Sequence, residues 1–379
     1  MTNCTTGPDN VEGGAEPIYL CDRSSTGRVR PWRCNKIMSS RIAISMRRIN
    51  KAHPKRAMAL KGRAERMARC AQYIVFGEYV SQETGEVTQR LDAVNFCRDR
   101  LCPMCQWRKS LVTFSQVSAI MDVIQSQYPE AVPIFLTLTM KNVPSDGLSD
   151  GVTRILKAWS TLTASRTNPV LHKLMIGWFR TLEITFNAVT QEWHPHIHAI
   201  IIVPQKYFDD KTIYMTNQDW QAQWRKALRV DYDPVVDIRR IYNERAHAVA
   251  EVSKYAVKPG EWVSDDNCVT DANVELLANV LKGRRLVAFG GEMLEVRKAL
   301  KQEDADNADL VNTDCDTDNM RDDIRIALLR YNWQSGLTNN YVFAGRVDLT
   351  GGGVTQNGTQ EEDRPDGGDA GEVDTPDGC

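Results

Sequence analysis

The chain has 379 residues, 42% of them hydrophobic, enough for one substantial core carrying appendages. No stretch approaches the ~18 uncharged apolar residues of a membrane span, and the N-terminus lacks an apolar signal core, so a cytoplasmic protein without membrane association is expected. The net charge of −2 hides an asymmetry: residues 1–110 hold 20 Lys and Arg against 10 Asp and Glu, whereas residues 301–379 hold 6 against 18. A basic front suits nucleic acid, and an acidic tail is usually solvated.

Residues 1–27 are polar and Gly-rich and are expected to be disordered. Residues 28–120 read as a basic helical segment that also carries a cysteine cluster. At 134–140, Leu136 and Leu138 share one face and Thr137 and Thr139 the other, the pattern of a half-buried strand. Residues 150–165 space Val152, Ile155, Leu156, Trp159 and Leu162 as a helix does. Strands are expected at 179–187 and 196–203, a helix at 217–229, extended chain at 235–241 and a helix over 244–257. A helix, a strand and a helix follow at 276–281, 284–289 and 292–301. This order predicts an α+β catalytic unit over 121–300, a central sheet with one face covered by helices. An acidic helical extension is expected over 301–350 and a disordered acidic tail over 351–379.

The stretch Trp193-His194-Pro195-His196-Ile197-His198 carries the chemistry. It sets histidines at alternate positions ahead of an apolar β-branched run. Alternation turns His196 and His198 to one face of a strand, where two imidazoles can share a metal ion. On the polar face of the 179–187 strand Glu183 is the only acid. A symmetric hairpin pairs Glu183 with His198 and Thr185 with His196, giving three ligands and open positions. Mg, Mn and Zn all suit such a set, and Mg or Mn serves to polarise a phosphoryl oxygen. His194 lies too far along the strand to join both others on one ion and is expected to support them.

Glu251 and Tyr255, four apart, stack on one face of the expected 244–257 helix, and Lys254 and Lys258 on an adjoining stripe. A phenol beside a metal-activated phosphate offers a covalent route through phosphotyrosine, with the Glu251 carboxylate as a base for water or the next attacking group. Cys70, Cys97, Cys102 and Cys105 read as Cys-x26-Cys-x4-Cys-x2-Cys. In a reducing compartment that arrangement suits structural tetrahedral zinc, which would present the neighbouring Arg98, Arg100, Arg108 and Lys109 to DNA.

Three ordered blocks, Phe135-Leu136-Thr137-Leu138-Thr139 with Lys141-Asn142, then His194-Pro195-His196-Ile197-His198, then Glu251-x3-Tyr255-x2-Lys258, resemble the motifs of rolling-circle plasmid replication initiator (Rep) proteins of the HUH endonuclease superfamily. Cys97 to Ser110 resembles the cysteine block that precedes them, and Arg285 to Gly291 a late motif; together the blocks span roughly residues 30–300. The resemblance implies an antiparallel, ferredoxin- or RRM-like sheet flanked by helices, with His196 and His198 as metal ligands. It implies that Tyr255 nicks one strand of the double-strand origin, keeps the 5′ end and frees a 3′-hydroxyl primer. Glu251 matches the glutamate of the single-tyrosine branch, which directs hydrolysis at termination, and Lys258 would contact the phosphate or modulate the tyrosine. Implied partners are origin duplex and single-stranded DNA at the nick, a bacterial host's helicase and polymerase, and a second copy in a homodimer. Two other readings compete: a single-tyrosine HUH transposase or relaxase, and a non-catalytic zinc-dependent DNA-binding regulator. The late position of Tyr255 disfavours the former, and the latter leaves the histidine face unexplained.

Overall fold

The computed structural model describes residues 16–24, 27–55, 58–241, 245–254, 257–313, 323–336 and 338–349. The front comprises α1 (Trp32–Ala52), α2 (Met58–Arg69), β1 (Tyr73–Val80), β2 (Val87–Val94) and α3 (Pro103–Gln127). The middle runs β3 (Ala131–Thr139), α4 (Leu148–Thr163), α5 (Pro169–Leu174), β4 (Gly177–Asn187), β5 (Glu192–Pro204), α6 (Lys206–Asp209), α7 (Asn217–Leu228) and β6 (Val236–Arg240). Then come α8 (Arg245–Val252), α9 (Pro259–Trp262), α10 (Asn267–Val280), β7 (Val287–Gly291), α11 (Glu292–Ala299), β8 (Ile324–Gln334) and β9 (Asn340–Asp348). The strands form two antiparallel sheets, ordered β6-β3-β5-β4-β7 and β2-β1-β8-β9.

The five-stranded sheet is built on β5, whose run Ile200-Ile201-Ile202-Val203 is buried on both sides. Its β-branched side chains fit a pleated surface, and each contributes roughly 1.5–3 kcal/mol by burial. Leu136, Leu138, Leu182, Ile197 and Ile201 turn to a core shared with Val152, Ile155 and Trp159 of α4 and Trp220 and Trp224 of α7. Phe135, Phe179, Ile200 and Ile202 turn the other way, against Val117, Ile120 and Ile124 of α3, Val249 and Val252 of α8 and Met293 of α11. Helices therefore cover both faces, not the one expected. Toward one end of the second face lie the polar residues of β3, β4 and β5.

The β4–β5 hairpin departs from the symmetric register by two residues: Glu183 pairs with His196, Thr185 with His194 and Thr181 with His198. The connection is a four-residue loop closed between Asn187 and Glu192. The Asn187 side chain accepts from the N–H groups of Val189 and Thr190, and Gln191 takes a left-handed φ of 57°. A slip of two preserves which face each side chain occupies, so Glu183 and both histidines stay together.

Three further expectations are corrected. The helix expected to carry Glu251 through Lys258 ends at Val252. Pro259 opens α9 and holds Lys258 extended, at φ −97° and ψ 107°, so the helix cannot run through it. Among the described residues the 301–350 extension is not helical: β8 and β9 pair with each other, and β8 pairs with β1 of the front, Tyr73 opposite Asn332. Its alternating aromatic residues Tyr331, Trp333, Tyr341 and Phe343 pack on that sheet, which favours strand over helix. The front is likewise not all helical, since β1 and β2 lie between its helices.

Of the N-terminal segment expected to be disordered, residues 1–15 and 25–26 lie outside the described residues. Within the described part, Tyr19 bridges Val342, and the Leu20 N–H donates to the Tyr341 carbonyl at 3.0 Å, so this piece is tied to β9. The tail over 351–379 lies outside the described residues.

A candidate metal centre on the five-stranded sheet

At this polar end of the sheet, Glu183, His196 and His198 are all buried, and their ligand atoms lie within 4.8 Å of one another. Glu183 Oε2 stands 3.3 Å from His196 Nε2 and 3.1 Å from His198 Nε2. The other ring nitrogens are already engaged. His196 Nδ1 lies 3.1 Å from the His194 carbonyl, to which it can only donate, and His198 Nδ1 lies 3.1 Å from Thr137 Oγ1. Donation from Nδ1 leaves a lone pair on Nε2 of a neutral ring. For His196 this is fixed by the carbonyl; when His198 likewise donates from Nδ1 to the Thr137 hydroxyl, two such lone pairs converge on a carboxylate oxygen that also only accepts. Acceptors so placed need a cation between them, either a proton or a metal ion, and an imidazole oriented through its second nitrogen is the usual arrangement of a metal ligand.

The remaining Glu183 oxygen, Oε1, meets the Lys258 ammonium. Burial alone would raise the Glu183 carboxyl, but in the absence of a metal ion the contacts with His196, His198 and Lys258, with a proton between ring and carboxylate, outweigh it and hold the group well below the usual carboxylate range. Burial also works against the Lys258 ammonium, and the Glu183 contact overrides it, pushing that group up. His194 stacks on His196, ring centroids 5.1 Å apart, and is not within the three-residue cluster.

Glu251 is held by its neighbour Lys254. Tyr255 lies outside the described residues. On its C-terminal side Val257 forms a parallel bridge with Ile184 of β4, so the chain reaches the metal sheet immediately before Lys258. Two contacts escaped sequence reasoning. The Lys258–Glu183 pair had no local signal, whereas Thr137 lay on the polar face of a strand already read as alternating. Thr139, next on that face, registers opposite His196 and donates to the Val235 carbonyl at 2.9 Å.

The second cluster joins Cys70 after α2, Cys97 after β2, and Cys102 and Cys105 at the start of α3. Sulfur separations are 3.6 Å for Cys70–Cys105, 3.6 Å for Cys70–Cys102 and 3.7 Å for Cys97–Cys105. A tetrahedron with bonds of about 2.3 Å has edges of about 3.8 Å, so the four sulfurs fit one ion of zinc type. The N–H groups of Cys97 and Arg98 point at the sulfurs of Cys70 and Cys105, at 3.4 and 3.2 Å, and Arg98 takes φ 57° to do so. Lys36, buried, donates to the carbonyls of Ala68 and Cys70 at 2.9 and 2.6 Å, placing a positive charge beside the sulfurs.

The profile of the Replication protein family matches residues 88–342. The chain is 31% identical over 328 residues to Protein rep of Streptococcus pneumoniae, covering 85% of this chain and 95% of that one. It is 32% identical over 342 residues to Protein rep of Bacillus amyloliquefaciens, covering 84% and 96% respectively. A Protein rep from a Bacillus species is 34% identical over 271 residues, covering 66% of this chain and 84% of the relative. No solved structure matches. No helix among the described residues is long and apolar enough to cross a membrane. The match over most of the chain, together with the ordered motifs, means that this protein belongs to the replication-protein (Rep) family of plasmid replication initiators.

Proposed function

We propose that the protein starts rolling-circle plasmid replication by nicking one strand at the double-strand origin. The observation that carries this reading is the convergence of Nε2 of His196, Nε2 of His198 and Oε2 of Glu183 on one face of the sheet, in a chain of the Rep family. Mg²⁺ or Mn²⁺ held by these three residues would polarise a non-bridging oxygen of the scissile phosphate.

The Tyr255 phenol releases its proton to solvent as its oxygen attacks phosphorus, the P–O3′ bond breaks, and the departing oxygen takes up a proton from solvent to become the 3′-hydroxyl primer. The 5′ phosphate stays on Tyr255. Lys258, paired with Glu183, orients that carboxylate and brings a positive charge to the developing phosphate charge. At termination Glu251 takes the proton from water or the incoming hydroxyl, whose oxygen attacks the phosphorus; the bond from phosphorus to the Tyr255 oxygen breaks, the phenolate takes back a proton, and the enzyme is freed. Zinc on Cys70, Cys97, Cys102 and Cys105 holds the front as a scaffold for DNA contacts. The partners are origin DNA, first duplex and then single-stranded, with a host helicase and polymerase extending the primer. A homodimer at the origin and a cytoplasmic location complete the reading.

The test is to incubate the protein with a supercoiled plasmid bearing its own origin and Mn²⁺ or Mg²⁺. A nicked circle with protein joined to the 5′ end is expected, and Tyr255→Phe should abolish the adduct. An adduct that persists in Tyr255→Phe overturns the assigned nucleophile. Origin binding without any nick in the wild type would favour the non-catalytic regulator.

A further inference from the structure

Two cavities adjoin at Arg100 and Gly283, which line both, and together they make a cleft divided by the Arg100 side chain. The first, about 260 Å³, is bounded by Thr181, Lys254, Arg285 and Phe289, and the second, about 580 Å³, by Arg66, Cys97 and Lys282. Six basic residues line the first and five the second, with Arg100 common to both, against two acidic residues in each. The acids are largely committed to holding the floor. Asp99 takes a two-pronged contact from Arg63 at 2.7 and 2.9 Å, and Asp306 bridges Lys109 and Arg100 at 2.7 and 2.8 Å.

Other cations in the cleft are left over. Arg66, Lys282 and Arg285 are exposed and have no carboxylate partner among the described residues. Arg285 is held at the rim from below: Arg180, buried in β4 and paired with no carboxylate among the described residues, spends its guanidinium on the carbonyls of Arg285 and Leu286, at 3.1 and 2.9 Å. A protein that crowds unneutralised cations along a concavity pays a repulsion that a polyanion relieves.

The end of the cleft identifies the anion. Thr181, on its wall, registers directly opposite His198 on β5, and both side chains share the face that bears the metal cluster. A basic concavity that begins beside a phosphate-activating site and continues away from it suits one extended strand.

We infer that this cleft binds the sugar–phosphate backbone of the single strand continuous with the scissile phosphate, from Thr181 past Arg285 and Lys282 to Arg66 beside the cysteine cluster. The contacts are to phosphates and carry no base specificity. The inference rests on the nicking function proposed above and deepens it, since it names the path of the substrate. It also gives the cysteine cluster a second task, fixing the far wall of the cleft.

The test measures binding, not cleavage. A fluorescent mixed-sequence 15-nucleotide single strand is titrated with the full chain in the absence of added Mg²⁺ or Mn²⁺, over a range of salt concentrations. Each phosphate contact to a single strand contributes about −0.7 to the slope of log K against log salt, so the triple variant Arg66→Gln, Lys282→Gln, Arg285→Gln should flatten the slope by about 2 and weaken low-salt binding at least tenfold. The matched variant Arg66→Lys, Lys282→Arg, Arg285→Lys should keep the wild-type slope, which separates charge from folding. A Gln variant that binds with the wild-type slope overturns the cleft, as does a wild type with no salt-dependent binding. A wild type that binds through these residues yet never forms an adduct with origin plasmid contradicts the proposed nicking function and leaves the cleft standing.

Discussion

Lys258 and Glu183 form an ion pair on the edge of the metal cluster, the ammonium meeting Oε1 while Oε2 faces both imidazoles. One carboxylate thus meets an ammonium and two imidazoles, and the lysine fixes its orientation. The two residues are 75 positions apart in the chain. They meet because Val257 is bridged to Ile184 at the same end of β4.

Loss of that ammonium should therefore be felt at the metal site. In Lys258→Met, nicking at saturating Mn²⁺ is expected to fall by about 10- to 100-fold, the usual cost of removing an outer partner of a metal ligand, and Lys258→Arg should recover most of it. Initial rates on origin plasmid measure this. Wild-type rates in Lys258→Met would remove the lysine from the site.

The four-cysteine cluster makes a different prediction. Cys102→Ser should release the zinc and lower the melting temperature, because these sulfurs join the ends of α2, β2 and α3. Metal analysis should show close to one zinc per wild-type chain and none in the variant. Equal melting curves for the two proteins would mean that the cluster is four separate thiols.

A backbone prediction follows from the turn between β7 and α11. Gly291 takes φ 58°, and a Cβ there would run into the carbonyl oxygen of Ile176. Gly291→Ala should cost about 1–3 kcal/mol, read as a lower melting temperature. An unchanged melt would show that the turn relaxes freely.

How much of this was legible in the sequence follows from which signals are local. Alternation alone put Glu183, His196 and His198 on one face, and a two-residue error in the register could not undo it, because the side-chain period of a strand is two. The same period made the Leu and Thr faces of β3 readable. The end of α8 was hidden, since nothing between Val252 and Lys258 breaks a helical pattern until Pro259. β8 and β9 were missed for a longer-range reason. Their acidic surroundings dominated composition and masked the alternating aromatics of the β8–β9 hairpin, and the partner that ties β8 into the sheet, β1, lies some 250 residues away. The cysteines of the Cys-x4-Cys-x2-Cys run announced themselves by spacing, whereas Cys70 joins only because α2 ends beside them.

The central claim is that the paired lone pairs of His196 and His198 and the Glu183 carboxylate hold a divalent ion. Titration of zinc-loaded protein with Mn²⁺, followed by electron paramagnetic resonance of the free ion, tests it directly. Wild type should bind one Mn²⁺ per chain at the sheet, and His198→Ala should lose it, by at least tenfold in affinity, with the zinc content unchanged. Undiminished Mn²⁺ binding in His198→Ala would contradict the site.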